Sequence, residues 1–403
     1  MFKKMNMGIV CFGGEDWWYH NRGHIDFQLM RRFAEYCTVL YINSIVMQKP
    51  KLSQGSDFLK KVIRKSKSML NGLQKTDAGF YVFSPLSIPL HHINEARKFN
   101  DFLVGLQSAL VCEKLKIHKP IVWVACPPAA NIALNMQKSS LIYQRTDKFE
   151  DFPNIDANII KKYDLKLKKT ADITFFVNEN LYNNEAGECK KAVLIDHGVD
   201  FESFASAENI EHVPEDIKKI PKPIAGFFGG MDSHTFDMDF MEKTIEAAGD
   251  ISFVFIGKCS IDCKNILSKS NVHMLGQKPY EQIPHYGKCF DVAIMPWKQN
   301  KWIEACNPIK LKEYLALGKP VVSTPFPVLD KYQSIVYTAN TPQDFAQCIF
   351  KAINENDHIK KSFRRQTVQG ETWEKKAQLV LETLCMKDAQ NEVHSDFVNK
   401  GTI

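Results

Sequence analysis

The sequence predicts an α/β protein made of two doubly wound, Rossmann-like domains. Two observations carry that prediction. Short apolar runs alternate with stretches of helical periodicity along the chain, which is the pattern of parallel sheets. At 403 residues the chain also exceeds one ordinary core. With 44% hydrophobic and 24% charged residues, it has the composition of a folded globular protein. No internal repeat or low-complexity tract interrupts the alternation.

In the first half the expected strands are Met7–Phe12, Val39–Ile42, Phe80–Phe83, Ile121–Ala125, Leu141–Tyr143, Ile173–Val177 and Val193–Ile195. Helical periodicity fills Ile25–Glu35 and Asn94–Lys116 between them. Residues Asp200–Pro223 lose periodicity, gain charge and end in Pro221-Lys222-Pro223, which reads as the linker. A second alternation follows: Ile224–Phe228, Ser252–Ile256, Val272–Met274, Val292–Met295, Val321–Ser323 and Ile335–Tyr337. The expected domains are therefore residues 1–205 and 206–370. A last helix and a polar, frayed tail occupy 371–403.

Charge and cysteine content narrow the function classes. A net charge of +6 suits phosphate-bearing substrates or an anionic membrane face and is too weak to argue for nucleic acid. The eleven cysteines form no C-x-x-C pair, and the x3 spacing of Cys259 and Cys263 lacks a second pair to complete a zinc site. An odd count without a visible secretory signal reads as reduced thiols in a cytoplasmic protein. No Gly-x-Gly-x-x-Gly follows Phe12, which disfavours a nicotinamide dehydrogenase. The stretch 58–70 places Phe58, Leu59, Val62, Ile63, Met69 and Leu70 among cations at helical spacing. Such a face suits an anionic bilayer, peripheral on the inner side, or a helix packed on its own domain.

The most informative segment runs from Asn307 to Thr324. Asn307 is a helix cap, Pro308 suits the first helical position, and Leu311, Tyr314 and Leu315 make one apolar face. Gly318 can end the helix in the left-handed conformation, Pro320 blocks a restart, and Val321-Val322 is strand material. Lys310 and Glu313 share a face near the positive helix end, where Ile309 and its neighbours offer free amides. Such an end can hold a phosphate, and Glu313 can accept hydrogen bonds from ribose hydroxyls.

This block resembles the nucleotide-sugar helix of retaining glycosyltransferases with the GT-B fold, the family 4 type. There a Pro is followed, a few residues on, by Glu-Ala/Tyr-Leu/Met-Ala-x-Gly-x-Pro-Val-Val-x-Thr. The resemblance implies two Rossmann-like domains facing across a cleft, with the last helix crossing back to the first domain. It implies transfer of a sugar, with retention, from a nucleotide-diphosphate donor to a glycan or lipid-linked glycan. The first domain would take the acceptor and the second the nucleotide sugar. Lys310, Glu313, Asn307, Pro308 and Ile309 fall on the donor side, with Gly229 and Gly230 after the first strand of the second domain and Lys258 after the next.

In the first domain, Tyr143-Gln144-Arg145-Thr146-Asp147 leaves a strand at its carboxyl end, and Asp147 matches the family's His or Asp that faces the donor sugar. Gly13 and Gly14 form the turn on the acceptor side. The loop from Glu15 to His24 carries Trp17, Trp18, Arg22 and His24. It looks like the Trp-x-x-x-x-Arg loop of a subgroup that builds teichuronic acid and other exopolysaccharides. Asp147 and Lys310 are thus the expected catalytic groups, and Gly13, Gly14, Trp17, Arg22 and His24 the acceptor contacts. No metal or other cofactor is expected, since no Asp-x-Asp stands on a loop at a strand end.

Two departures from the family bear on this reading. The position eight residues before Glu313, commonly Glu, is Ala305, with Glu304 beside it. The usual Arg and Lys after the first strand of the second domain are replaced by Met231-Asp232-Ser233-His234-Thr235. Two alternatives stay open: a GT-B sugar-nucleotide 2-epimerase, and a non-catalytic docking subunit of a polysaccharide assembly complex.

Overall fold

A computed structural model describes residues 8–19, 23–43, 45, 63–64, 66–88, 93–152, 155–355 and 358–385. The chain divides into two compact units, Met1–Asp196 with Trp373–Ile403 and His197–Thr372. Among the described residues, no helix is long and apolar enough to cross a membrane.

The first unit holds an eight-stranded sheet ordered β3-β4-β2-β1-β5-β6-β7-β8. Its strands are β1 (Ile9–Phe12), β2 (Val39–Ile42), β3 (Leu73–Lys75), β4 (Tyr81–Phe83), β5 (Ile121–Val124), β6 (Ser140–Arg145), β7 (Ile173–Phe176) and β8 (Ala192–Leu194). All pair in parallel except the edge strand β3, which runs against β4. The sequence Leu73-Gln74-Lys75 gave no apolar run, because an edge strand needs none. The helices are α1 (Ile25–Phe33), α2 (Asn94–Lys114), α3 (Ala130–Asn135), α4 (Ala157–Thr170) and α5 (Glu179–Glu185). Helices α2, α3 and α4 cover one face, where Val104, Ile132 and Leu167 join a core with Val10, Phe12, Val122 and Val124. Residues 373–385 form a helix grouped with this unit, and Glu374 of that helix accepts a 2.9 Å hydrogen bond from Arg32 of α1.

The second unit holds a six-stranded, all-parallel sheet ordered β11-β10-β9-β12-β13-β14. The strands are β9 (Ile224–Phe228), β10 (Ser252–Ile256), β11 (Val272–Gly276), β12 (Val292–Met295), β13 (Val321–Ser323) and β14 (Val336–Thr338). This is the 3-2-1-4-5-6 order of a doubly wound sheet. Both faces are covered, so apolar residues on a central strand point both ways: Val254 and Ile256 join one core, Phe253 and Phe255 the other.

The stretch expected as a linker is not one. Its helix α6 (Phe201–Ala205) and the residues after it bury Phe201, Phe204, Ala207 and Ile217 in the core of the second unit. The unit also begins earlier than residue 206, because Val199 donates a 2.7 Å hydrogen bond to the carbonyl of Glu371 and bridges to Thr372. The charge of this stretch lies on its solvent side and hides five buried apolar residues, Ile220 being the fifth.

Strands β9 and β10 end in a close backbone approach. Gly229 donates to Ile256, and Gly257 sits at φ 141° where a Cβ would lie 2.0 Å from the carbonyl oxygen of Gly229. Backbone cannot yield there as a flexible side chain could. Gly257→Ala is expected to cost at least about 2 kcal/mol through strain and overpacking. Denaturant unfolding at constant m-value measures it, and a loss below a few tenths would refute the close approach.

Candidate active site

A doubly wound sheet leaves a crevice outside the strand carboxyl ends where the winding reverses. In the second unit that point lies between β9 and β12, and the start of helix α8 stands beside it. (Helix α7, Met238–Ala248, follows β9, and α8 is Ile309–Ala316.) Lys310 projects its ammonium over two aromatic faces, 4.3 Å from the ring centre of Phe227 and 5.4 Å from that of Trp297. The same Nζ would come within 2.5 Å of a Cβ at Gly229. Burial pulls its pKa down to about 8, against the opposing pull of Cys306, Glu313 and Asp232.

Glu313 lies one turn further along α8 and is buried. Its Oε1 accepts a 2.9 Å hydrogen bond from the Tyr280 hydroxyl. Burial raises its pKa to about 7, although the Tyr280 hydrogen bond and Lys310 act in the other direction. Tyr314, the next residue, accepts from the backbone N–H of Phe228 at 2.9 Å, which ties α8 to the end of β9. Lys312 is buried as well and donates to the His197 carbonyl at 2.6 Å. A burst of charged letters thus lies largely inside the unit.

The ends of α8 correct and support the sequence reading in turn. Pro308 occupies the N-cap with φ −79° and ψ 124°, and Ile309 is the first helical residue. Asn307 therefore stands one position outside and is not the cap. The C-terminus follows the expectation: Gly318 has φ 75°, Lys319 donates to Tyr314, and Gly318 donates to Leu315. That is the paired hydrogen bonding of a Schellman ending. Arg365 then donates to the carbonyls of Ala316 and Leu317 at 3.2 and 3.3 Å.

The other expected donor contacts separate. Gly230 is exposed, with open space where a Cβ would be. The Gly229 amide is not free to face a phosphate, because the ladder to Ile256 uses it. The Lys258 side chain is exposed, and its carbonyl accepts from Met231. Tyr280, Trp297 and Phe227 escaped the sequence reading as site residues. Trp297 carried the only hint, as a large aromatic just past a buried strand.

In the first unit, Asp147 follows β6 and is partly buried. Burial lifts its pKa to about 6 while His24 and Arg145 pull it down and Glu15 pushes it up. His24 and Asp147 are thus close enough to interact, across the ends of β1 and β6. Arg145 is fully buried and pairs with Glu150 at 3.0 Å, Asp164 at 3.3 Å and Glu185 at 3.0 Å, which holds the strand end that carries Asp147.

Three acceptor expectations need correction. Trp17 is buried, edge-on to Phe27 at 5.1 Å and Phe80 at 4.8 Å, so its face is core and not a sugar platform. Gly13 makes room for Tyr41, whose hydroxyl would lie 1.8 Å from a Cβ there, and its amide bonds Ile42. The Gly14 amide donates to Asp26 at 2.9 Å. Both turn amides are consumed internally. Arg22 lies outside the described residues.

Among the described residues, no three His, Cys, Asp or Glu side chains converge as a cation site would require.

The chain is similar in sequence and fold to known proteins. Residues 222–355 match the family model for glycosyl transferases group 1. The Bacillus subtilis (strain 168) protein named for teichuronic acid biosynthesis as the glycosyltransferase TuaH is 28% identical over 230 residues. That match covers 53% of this chain and 57% of the relative. Sucrose-phosphate synthase from Thermosynechococcus elongatus superposes with a TM-score of 0.67 at 14% identity, over 96% of this chain and 100% of that one. Anabaena HepE in complex with UDP-glucose gives 0.66 at 13% identity, over 94% and 100%. The chain therefore has the GT-B fold, its second domain is of the glycosyl transferases group 1 kind, and its sequence likeness is to the bacterial polysaccharide branch of that group.

Proposed function

We propose that this protein transfers a sugar, with retention, from a nucleotide-diphosphate donor to a glycan or lipid-linked glycan in cell-surface polysaccharide synthesis. The observation that carries the proposal is the aromatic-walled ammonium of Lys310 at the start of α8, with the buried carboxyl of Glu313 one turn on. A departing diphosphate gains charge as the glycosidic bond breaks, and a cation in a low-dielectric site beside free helix amides stabilises that charge. Lys310 and the helix end supply this without a metal. Glu313 takes the ribose hydroxyls, Asp147 contacts the reacting sugar, and His24 serves the acceptor. Support comes from the group 1 match, the relative named for teichuronic acid synthesis, and the neighbour holding UDP-glucose.

Kinetics test the assignment. A contact stronger in the transition state than in the ground state appears in kcat, so Lys310→Ala should lower kcat more than it raises the donor KM. Lys258→Ala, at an exposed position, should change kcat little. The reverse ranking would move the phosphate site to the end of β10. Product analysis separates transfer from epimerisation, since an epimerase converts the donor with no acceptor present.

The depressed pKa of Lys310, about 8, makes a pH prediction. Above that value the ammonium is lost, so affinity for the nucleoside diphosphate should fall about tenfold between pH 7 and 9. Lys310→Arg should flatten the profile because its guanidinium stays charged. Calorimetric titration with UDP reads both, and an equal decline in the variant would remove Lys310 from the phosphates.

Activity should persist in EDTA, since Lys310 and the helix amides perform the neutralisation. Full loss with chelator, restored by Mg2+ or Mn2+, would show that a cation shares the task.

A further inference from the structure

Helix α2 of the first domain is buried on one side and carries large apolar side chains on the other. Its core face is Asn100, Val104, Ser108 and Cys112. On the opposite face Phe99, Phe102, Leu106 and Leu110 fall within an arc of about 80° at roughly 100° per residue. They are far from buried: Phe102 is 67% and Leu110 64% exposed. Four large apolar side chains in one exposed row are more than the scattered singles of an ordinary surface.

The row is widened on both flanks. On one, Gln107 and Asn100 clasp the backbone of Leu86 and Ile88 with hydrogen bonds of 2.7 to 3.0 Å, and both residues leave their side chains exposed. On the other, a groove of about 890 Å³ opens between α2 and α3, lined by Phe102, Leu106, Ile132 and Met136 with Lys98 and Lys119 at its edge. The groove lies toward the start of β5, away from the strand carboxyl ends that carry Asp147.

Cations frame this apolar surface. On α4, in the same helix layer, the exposed charged side chains are all lysines: 161, 162, 166 and 169. Its Asp164 and Lys168 are buried against each other at 2.7 Å. Lys166 donates to Asn131 of α3, and Asn131 donates to Asp101 of α2, so the three helices are laced side by side. Across α2, its following loop and α4, the cations outside the core are Arg97, Lys98, Lys114, Lys116 and Lys119 with those four lysines, nine in all. The carboxylates are three: Glu95 and Glu113 at the ends of the row, and Asp101 under Asn131.

We infer that this helix layer docks on an anionic lipid bilayer, with the α2 row and the groove meeting the acyl region and the lysines meeting lipid phosphates. An apolar row framed by long cationic side chains is the pattern of an interfacial helix, since lysine stems lie along apolar surface while their heads reach the phosphates. Attraction by many exposed lysines is long-ranged and salt-sensitive. This surface differs from the stretch 58–70, expected from sequence as the bilayer contact. Much of that stretch lies outside the described residues, and its described Ser68 is buried against Asn43 and Ser84.

The test is co-sedimentation of the full chain with vesicles of phosphatidylcholine, with and without phosphatidylglycerol. Wild type should bind the anionic vesicles, leave the neutral ones, and detach at high salt. Phe102→Ser with Leu106→Ser should weaken partitioning about tenfold or more, as should Lys161→Glu with Lys162→Glu. All four positions are exposed or line an open groove, so melting temperatures should stay near wild type, which separates lost docking from lost fold. Failure of wild type to bind anionic vesicles overturns the inference. So does unchanged binding by both variants, and so does a wild-type dimer in light scattering that the serine variant dissolves, which would make the face a contact between copies.

Discussion

The reversal of winding in each parallel sheet is the constraint on which the rest of the molecule depends. Parallel strands need crossovers, and crossovers bury both faces of the sheet. Where successive crossovers turn away from one strand in opposite directions, no connection covers the carboxyl ends. In the second unit this happens at β9, flanked by β10 and β12. Everything that gives the site its chemistry follows. Glycines let the ends of β9 and β10 touch, the end of β12 delivers Trp297, and Tyr314 pins the helix start to β9.

The first unit obeys the same constraint with another outcome. Its reversal lies at β1, flanked by β2 and β5. There the crevice is occupied by the protein's own groups, since Tyr41 fills the space above Gly13 and Asp26 takes the Gly14 amide. The candidate group Asp147 stands two strands over, at the end of β6. A buried Arg145 holds that end with three carboxylates, and Lys168 meets two of the three at 2.7 and 2.9 Å. Breaking such a cluster leaves charge without a partner in low dielectric, so it resists piecemeal change more than an apolar core does.

The two-domain α/β fold was legible because parallel strands buried on both faces are written as apolar runs, and all thirteen expected runs lie in or overlap strands. The Gly318 ending was legible because a left-handed residue has few spellings. The N-cap was misread: Asn and Pro in succession allow two registers, and local rules do not choose between them. Trp17 was misread because a loop aromatic looks exposed until Phe27 and Phe80 are seen around it. The buried roles of Lys312 and Arg145 were invisible, since their partners His197, Asp164 and Glu185 meet them only through tertiary structure.

The charges of α8 show what the site costs the fold. Glu313 titrates near 7, above its ordinary value, so its contribution to stability is full below the unfolded pKa and is lost as pH rises toward 7. Lys310 titrates near 8, below its ordinary value, so relief of its burial comes only as pH rises above 8. Between pH 7 and 8 both groups are ionised in the folded state and both burial penalties are present together. These two residues therefore stabilise the fold least where a neutral-pH enzyme would use them. An anionic ligand at Lys310 with a hydroxyl donor at Glu313 reverses each penalty by supplying the counter-charge and the hydrogen bond that water no longer gives. A site left strained in this way until its ligand arrives is what selection for binding produces, and selection for stability alone would have replaced both side chains with apolar ones.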